Sequence, residues 1–256
     1  MLDEQDGVRA SVDDGVATVE LCRPPNNFFD LAMIRRIADL YAHLASSTDA
    51  RVIVLCAQGK HFCAGADFSG DRGTGGGPRQ LYAEAIRLFE APLPVVAAVQ
   101  GAAIGGGLGL ACSADFRVAG PDARFSANFA QLGFHHGFAL SATLPRLVGQ
   151  QHALDLLYTG RRIHASEAAG MGLCDQVTTS IDEMRATAGD LAAQIARSAP
   201  LAVRSIRATM RADLLADVRR AVDREAAEQT QLQTTKDWAE GVRASMERRQ
   251  PLFRGE

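Results

Sequence analysis

One stretch constrains this chain more than any other: Gln100-Gly101-Ala102-Ala103-Ile104-Gly105-Gly106-Gly107-Leu108-Gly109-Leu110-Ala111-Cys112-Ser113-Ala114-Asp115. An apolar, β-branched run from Pro94 to Val99 leads into it, and more apolar residues follow. That order reads strand, glycine turn, helix. Successive glycines carry no Cβ, so backbone and ligand can approach closely. The first turn of the helix then offers N–H groups without intrahelical partners, at the positive end of the helix dipole. Such a place suits an anion or a developing oxyanion.

Two familiar glycine motifs do not fit. A dinucleotide loop needs G-x-G-x-x-G near the first strand and an acid about 20 residues later. Here Gly105-Gly106-Gly107-Leu108-Gly109 has the wrong spacing, and strands precede it. No Gly-Lys-Ser/Thr follows either glycine cluster, which excludes a P-loop. A turn serving the fold alone is the plain alternative.

The rest of the chain supports an α/β core. Val8 to Val12 and Gly15 to Leu21 read as two strands around Asp13-Asp14-Gly15. Asp30 is placed to cap a helix running to about Ser46, with Ile34, Ile37, Leu40, Tyr41 and Leu44 at helical spacing. Arg51 to Cys56 reads as a buried strand, and a second turn follows at His61-Phe62-Cys63-Ala64-Gly65-Ala66-Asp67-Phe68. Ser69 to Pro78 reads as a mobile lid or loop, and Arg79 to Glu90 as a helix. Phe116 to Ala119, Arg124 to Ser126 and Cys174 to Thr178 are predicted strands. Helices are predicted over 139–147, 150–158 and 166–171, then almost continuously after Ile181. The units at 51–68 and 95–114 repeat one ββα character. Trp238, Val242 and Met246 form a stripe that core packing or a subunit interface would explain equally.

Composition closes off several function classes. In 256 residues the formal charge is -3, and the arginines lie scattered among acids, which gives no nucleic-acid face. No apolar run reaches the roughly 18 residues a membrane span needs. The acidic start, Met1 to Asp6, is no secretory or mitochondrial signal, so a cytoplasmic protein is expected. The five cysteines (Cys22, Cys56, Cys63, Cys112, Cys174) are widely spaced and read as reduced thiols. Cys63 reads as a small buried thiol rather than a nucleophile. No metal-ligand cluster is visible.

Two small-residue turns, each after a buried strand, can aim one N–H apiece at one oxygen. That is an oxyanion hole for a carbonyl becoming an enolate or a tetrahedral species, where one lost donor costs about 2.7–4 kcal/mol of barrier.

His61 to Asp67, the Pro94–Val99 strand with Gly101 and Gly105-Gly106-Gly107, and Ala114-Asp115-Phe116 together resemble the enoyl-CoA hydratase/isomerase (crotonase) family. Further matches are Arg23-Pro24-Pro25-Asn26-Asn27, Leu147-Val148-Gly149, Tyr158-Thr159-Gly160-Arg161-Arg162-Ile163, Glu167 to Leu173 and the ending Glu247-Arg248-Arg249-Gln250-Pro251-Leu252-Phe253. The resemblance implies a crotonase-like spiral of ββα units over 1–197 and a helical trimerisation region over 198–256. It also implies trimers or dimers of trimers, acyl-CoA substrates, and no cofactor beyond the coenzyme A of the substrate. The thioester oxygen would sit at the N–H groups of Ala66 and Gly106, with Ala64, Gly65, Asp67, Gly105, Phe129, Gly133 and Phe134 around the substrate.

The departures matter as much. Hydratases of this family carry two glutamates, at positions that here hold Gly109 and Phe129. Neither Gly nor Phe can move a proton, so hydration by the two-carboxylate route is not expected. His136, or else His135, is the candidate acid or base in their place, since imidazole titrates near neutral pH; core or backbone-satisfied histidines are the alternative. Tyr82 and Glu84, on the helix after the lid, read as a solvated helical face, with the pocket residues that some members of the resembled family place there as the alternative; Gln131 reads as a residue that could orient water, and Asp67 as a turn cap. His61 and Asp115 read as structural. The expected function is an acyl-CoA enzyme with atypical acid/base groups; a catalytically impaired acyl-CoA-binding protein is the alternative.

Overall fold

A computed structural model describes residues 2–66 and 77–256. The chain opens with β1 (Leu2–Gln5), β2 (Val8–Asp13) and β3 (Val16–Leu21). Between β2 and β3, Asp14 and Gly15 both take positive φ (42° and 76°), as a two-residue hairpin turn with the right twist requires. Then come α1 (Leu31–Ser47), β4 (Val52–Ala57), α2 (Gly77–Phe89), β5 (Val95–Val99), β6 (Ala102–Ile104) and α3 (Gly106–Ser113). β7 (Phe116–Ala119), β8 (Arg124–Ser126), a 3-10 turn (Ala130–Leu132), α4 (Leu140–Thr159), β9 (Ile163–His164), α5 (Ala165–Gly170) and β10 (Gln176–Val177) follow. The helices α6 (Ile181–Ala196), α7 (Pro200–Leu232) and α8 (Lys236–Glu247) end the chain.

Seven strands form one sheet in the order β1-β2-β3-β4-β5-β7-β10, parallel from β3 onward. Every residue of β4 and β5 is buried, as parallel strands covered on both faces must be. Alternation along β4 splits the core. Ile53 and Leu55 join the large cluster under α1 and α2, while Val52, Val54 and Cys56 meet Met184, Ala188 and Ala192 of α6. α1 starts where Asp30 accepts a hydrogen bond from the Met33 N–H at 2.8 Å. β6, β8 and β9 make a second, three-stranded sheet.

That second sheet corrects the reading of the glycine stretch. Ala102 to Ile104 is a strand inside what reads as one turn, paired in parallel with Arg124 to Ser126. Three residues between glycines are too few to show a period. α2 begins at Gly77 rather than Arg79, and the expected lid at 69–78 otherwise lies outside the described residues. The helical pattern over 139–158 is one helix in hydrogen bonding but breaks at Gly149 (φ 77°, ψ 160°).

The long α7 is anchored through polar groups. Asp115 accepts from Arg207 Nε at 2.9 Å and from Arg211 Nη1 at 2.6 Å, and these guanidiniums also reach the carbonyls of Ala91 and Ser113. Further along α7, Glu225 is fully buried and accepts the N–H groups of Ala139 (2.8 Å) and Ser141 (2.9 Å) at the start of α4. The helix start of α4 thus receives its acidic cap from another helix. No described helix is long and apolar enough to cross a membrane.

Candidate active site

The two small-residue turns are laced together by backbone. Cys63 N–H donates to the Ala102 carbonyl at 2.9 Å, and Ile104 N–H donates to the Cys63 carbonyl at 3.1 Å. Asn27, fully buried, ties the first turn from below by donating to the carbonyls of Gln58 and His61. His61 Nδ1 accepts the Ala102 N–H at 3.1 Å, a structural task. A Cβ on Gly107 would overlap the Cys63 carbonyl, so glycine there is a condition of the close approach.

This lacing sets Ala66 and Gly106 on the wall of one cavity of about 300 Å³. Gly106 is the first residue of α3, and its N–H has no intrahelical acceptor. Among the described residues, neither the Ala66 nor the Gly106 N–H donates to a backbone carbonyl outside the helices and strands. Gly105 carries the chain into the helix at φ 57° and ψ -121°, a conformation only glycine adopts readily.

Ala64, Gly65, Gly105, Phe129 and Phe134 also line this cavity, together with Phe28, Phe29, Leu81, Phe138, Val242 and Met246. The polar side chains among the described lining residues are Tyr82, Asn128, Gln229, Gln233 and Ser245. That set holds no carboxylate, imidazole, ammonium or guanidinium. Of the apolar stripe on α8, Val242 and Met246 face the cavity and Trp238 packs on Phe134 with centroids 4.4 Å apart.

Three expected site residues lie elsewhere. Gly133 is not on the cavity wall; its α-carbon is pressed against the backbone of Asp237 and Trp238, at the start of α8. His135 and His136 are off the wall as well. His135 Nδ1 lies 2.6 Å from the His136 carbonyl, and His136 Nε2 lies 2.7 Å from Ser141 Oγ. Burial pulls the His136 imidazole down to about 3, so the ring is neutral near pH 7, 4.0 Å from Glu225. The adjacency of two histidines in sequence says nothing about which wall they face. Asp67 lies outside the described residues.

Tyr82 reverses its expected place. It is 5% exposed and lines the cavity, while Glu84 on the same helix pairs with Arg35 and Arg87 at the surface. The Tyr82 hydroxyl donates to Gln229 Oε1 at 2.7 Å, and Gln229 Nε2 donates to the His135 carbonyl at 2.8 Å. Burial raises the phenol well above its usual range, which leaves it a donor and not a base. A Cβ on Gly137 would overlap this hydroxyl. Gln131 instead donates to the Thr159 carbonyl at the surface. Cys63 is fully buried, with its thiol pushed up to about 12, and is inert. No described group of three or more His, Cys, Asp or Glu could hold a metal ion.

Comparison with known proteins follows the same outline. A family profile described as enoyl-CoA hydratase/isomerase matches residues 11–256. Bacillus subtilis YngF, named for that family, is 33% identical over 252 residues, covering 94% of this chain and 95% of its own. The peroxisomal Delta(3,5)-Delta(2,4)-dienoyl-CoA isomerase of Arabidopsis thaliana is 29% identical, covering 96% and 95%. The crystal structure of an enoyl-CoA hydratase/isomerase from Pseudoalteromonas atlantica superposes with a TM-score of 0.88 at 29% identity, covering 97% and 100%.

Proposed function

The chain belongs to the enoyl-CoA hydratase/isomerase family, and from that premise we propose that it binds an acyl-CoA thioester and stabilises its enolate or oxyanion with the N–H groups of Ala66 and Gly106. The observation that carries this reading is the lacing of two glycine-bearing turns around one cavity, with the Gly106 N–H at a helix start. Preorganised donors of this kind act where charge develops and need no reorganisation at the moment of reaction. The coenzyme A arrives as part of the substrate.

Standard hydration is not the reaction proposed. Positions 109 and 129 hold Gly and Phe, and the described cavity wall carries no ionisable side chain except the protonated phenol of Tyr82. The described wall offers no paired carboxylates to activate a water. Chemistry that redistributes charge on the acyl group (isomerisation, decarboxylation, retro-aldol cleavage or thioester hydrolysis) keeps the oxyanion hole in use without that pair. A homotrimer or dimer of trimers is the proposed assembly.

The lack of a carboxylate among the described wall residues also favours a second reading, an acyl-CoA-binding protein without turnover. Calorimetry with a panel of acyl-CoAs, run beside product analysis, separates the two. The enzyme reading expects saturable binding and a new product from at least one thioester, with negligible hydration of crotonyl-CoA. Binding without product across the panel supports the binder. Rapid crotonyl-CoA hydration overturns the account of positions 109 and 129, and no binding at all overturns both readings.

A further inference from the structure

Phe138 occupies an unusual place. It takes φ +60°, and so does Ala139 after it, a left-handed pair that bulky and Cβ-bearing residues rarely adopt. Such a residue persists only where its surroundings fix it. Here they do. Glu225, fully buried, holds the Ala139 and Ser141 N–H groups, and Gln229, one turn along α7, holds the His135 carbonyl. The turn carrying Phe138 is therefore pinned on both sides from a single helix face.

The ring so placed closes the cavity beside the oxyanion hole. It makes edge contacts with Phe29 (centroids 5.7 Å, planes at 66°) and Tyr82 (6.4 Å, 78°). A Cβ on Gly106 would meet Phe138 Cδ2 at 3.5 Å and overlap the Phe29 ring. A Cβ on Gly109 would meet Phe138 Cβ at 2.5 Å. The ring thus fills the space that a side chain at 109 would need, and it stands over the residue that supplies an oxyanion N–H.

We propose that Phe138 is the specificity-determining residue of the acyl pocket, barring substituents on the carbon next to the thioester, and that Glu225 is the positioning residue that holds it there. The substrate class is then the α-unbranched acyl thioesters, whose chains run away from Phe138 toward Phe129, Phe134 and Met246 on the remaining wall. This rests on the placement of the thioester oxygen at Ala66 and Gly106. A carbon attached to a carbonyl held there lies under the Phe29–Phe138 pair, where an added methyl has to displace a ring.

The test compares butyryl-CoA with isobutyryl-CoA by calorimetry. The two acyl groups have the same composition, so their transfer from water is nearly matched and the difference reports shape. The intact protein is expected to bind butyryl-CoA about tenfold more tightly, the scale of overpacking one methyl. Phe138→Ala is expected to erase that preference by gaining isobutyryl-CoA, and Phe138→Leu to narrow it. Glu225→Ala is expected to narrow it too, whereas a residue that only stabilised the fold would weaken both ligands alike. Equal binding of the two thioesters by the intact protein overturns this inference and leaves the oxyanion-hole reading standing. So does an unchanged preference in a Phe138→Leu variant that retains its melting temperature. No binding of either thioester by the intact protein overturns the oxyanion-hole reading, and the inference with it.

Discussion

Where α7 crosses the core, Asp115 sits between Arg207 and Arg211, each guanidinium at least nine-tenths buried at its side chain. Around Gly106, on the cavity side, the wall is built from Phe29, Phe138 and the Tyr82 ring. The side chains that build both regions are largely buried, yet ionised groups stand in the first and none among the described residues of the second. The polar groups around the Phe138 turn show the same division. Glu225, Gln229 and His136 turn to backbone amides, carbonyls or a serine hydroxyl, so their hydrogen-bonding capacity goes into holding the turn at 133–139. In this chain buried charge locks the long helix, and rings shape the pocket. The proposed oxyanion hole, made of backbone, needs neither.

The largest expected effect breaks the charged region. Asp115→Ala leaves Arg207 and Arg211 without their carboxylate, and it should cost about 3–5 kcal/mol in urea unfolding. A loss below 1 kcal/mol would show that the seam is solvated and the contrast false.

On the ring side, Gly109→Ala pushes a methyl into Phe138 and should destabilise by about 1–3 kcal/mol. Combining it with Phe138→Gly, which removes the Cβ that the methyl meets, should recover part of that cost, a coupling that a double-mutant cycle reads directly. Strict additivity would separate the two positions.

The pH dependence sharpens the boundary between the regions. His136 is neutral in the fold, with its imidazole pulled down to about 3, and it is 20% exposed. The unfolded chain takes up a proton below about 6.5 and the folded chain does not, so this residue's contribution to stability falls as pH drops from about 6.5 toward 3. Urea midpoints of the parent and of His136→Gln, measured across that window, should converge at low pH as the parent loses its advantage. The smallest effect is Tyr82→Phe. It removes the donor to Gln229 and should cost about 1 kcal/mol, read from the melting midpoint.

The comparison also shows what a linear chain can reveal. The hairpin at Asp14-Gly15, the Asp30 cap and the buried run of β4 are legible because each is written in neighbouring residues. The two turns at Gly65-Ala66 and Gly105-Gly106 are legible for the same reason, as small residues after a strand. Tyr82 is not. Its partner Gln229 lies 147 residues away, and only the packing of α2 on α7 decides which face of α2 meets the cavity. His136 misleads for the converse reason: its neutral state comes from burial beside α7, which no local pattern records. Phe138, with Phe125, Phe129 and Phe134, reads equally as an apolar, aromatic-tolerant pocket or as core packing, and the left-handed turn that sets it apart is not legible.

The central claim is that the thioester oxygen lies between the N–H groups of Ala66 and Gly106. Isotope-edited infrared difference spectroscopy of butyryl-CoA labelled with carbon-13 at the thioester carbonyl tests it most directly. Two N–H donors on one oxygen polarise the C=O bond, so its stretch should fall clearly below the value in water on binding. A bound ligand whose carbonyl stretch stays at the water value, or rises as it would in an apolar pocket without donors, contradicts the claim.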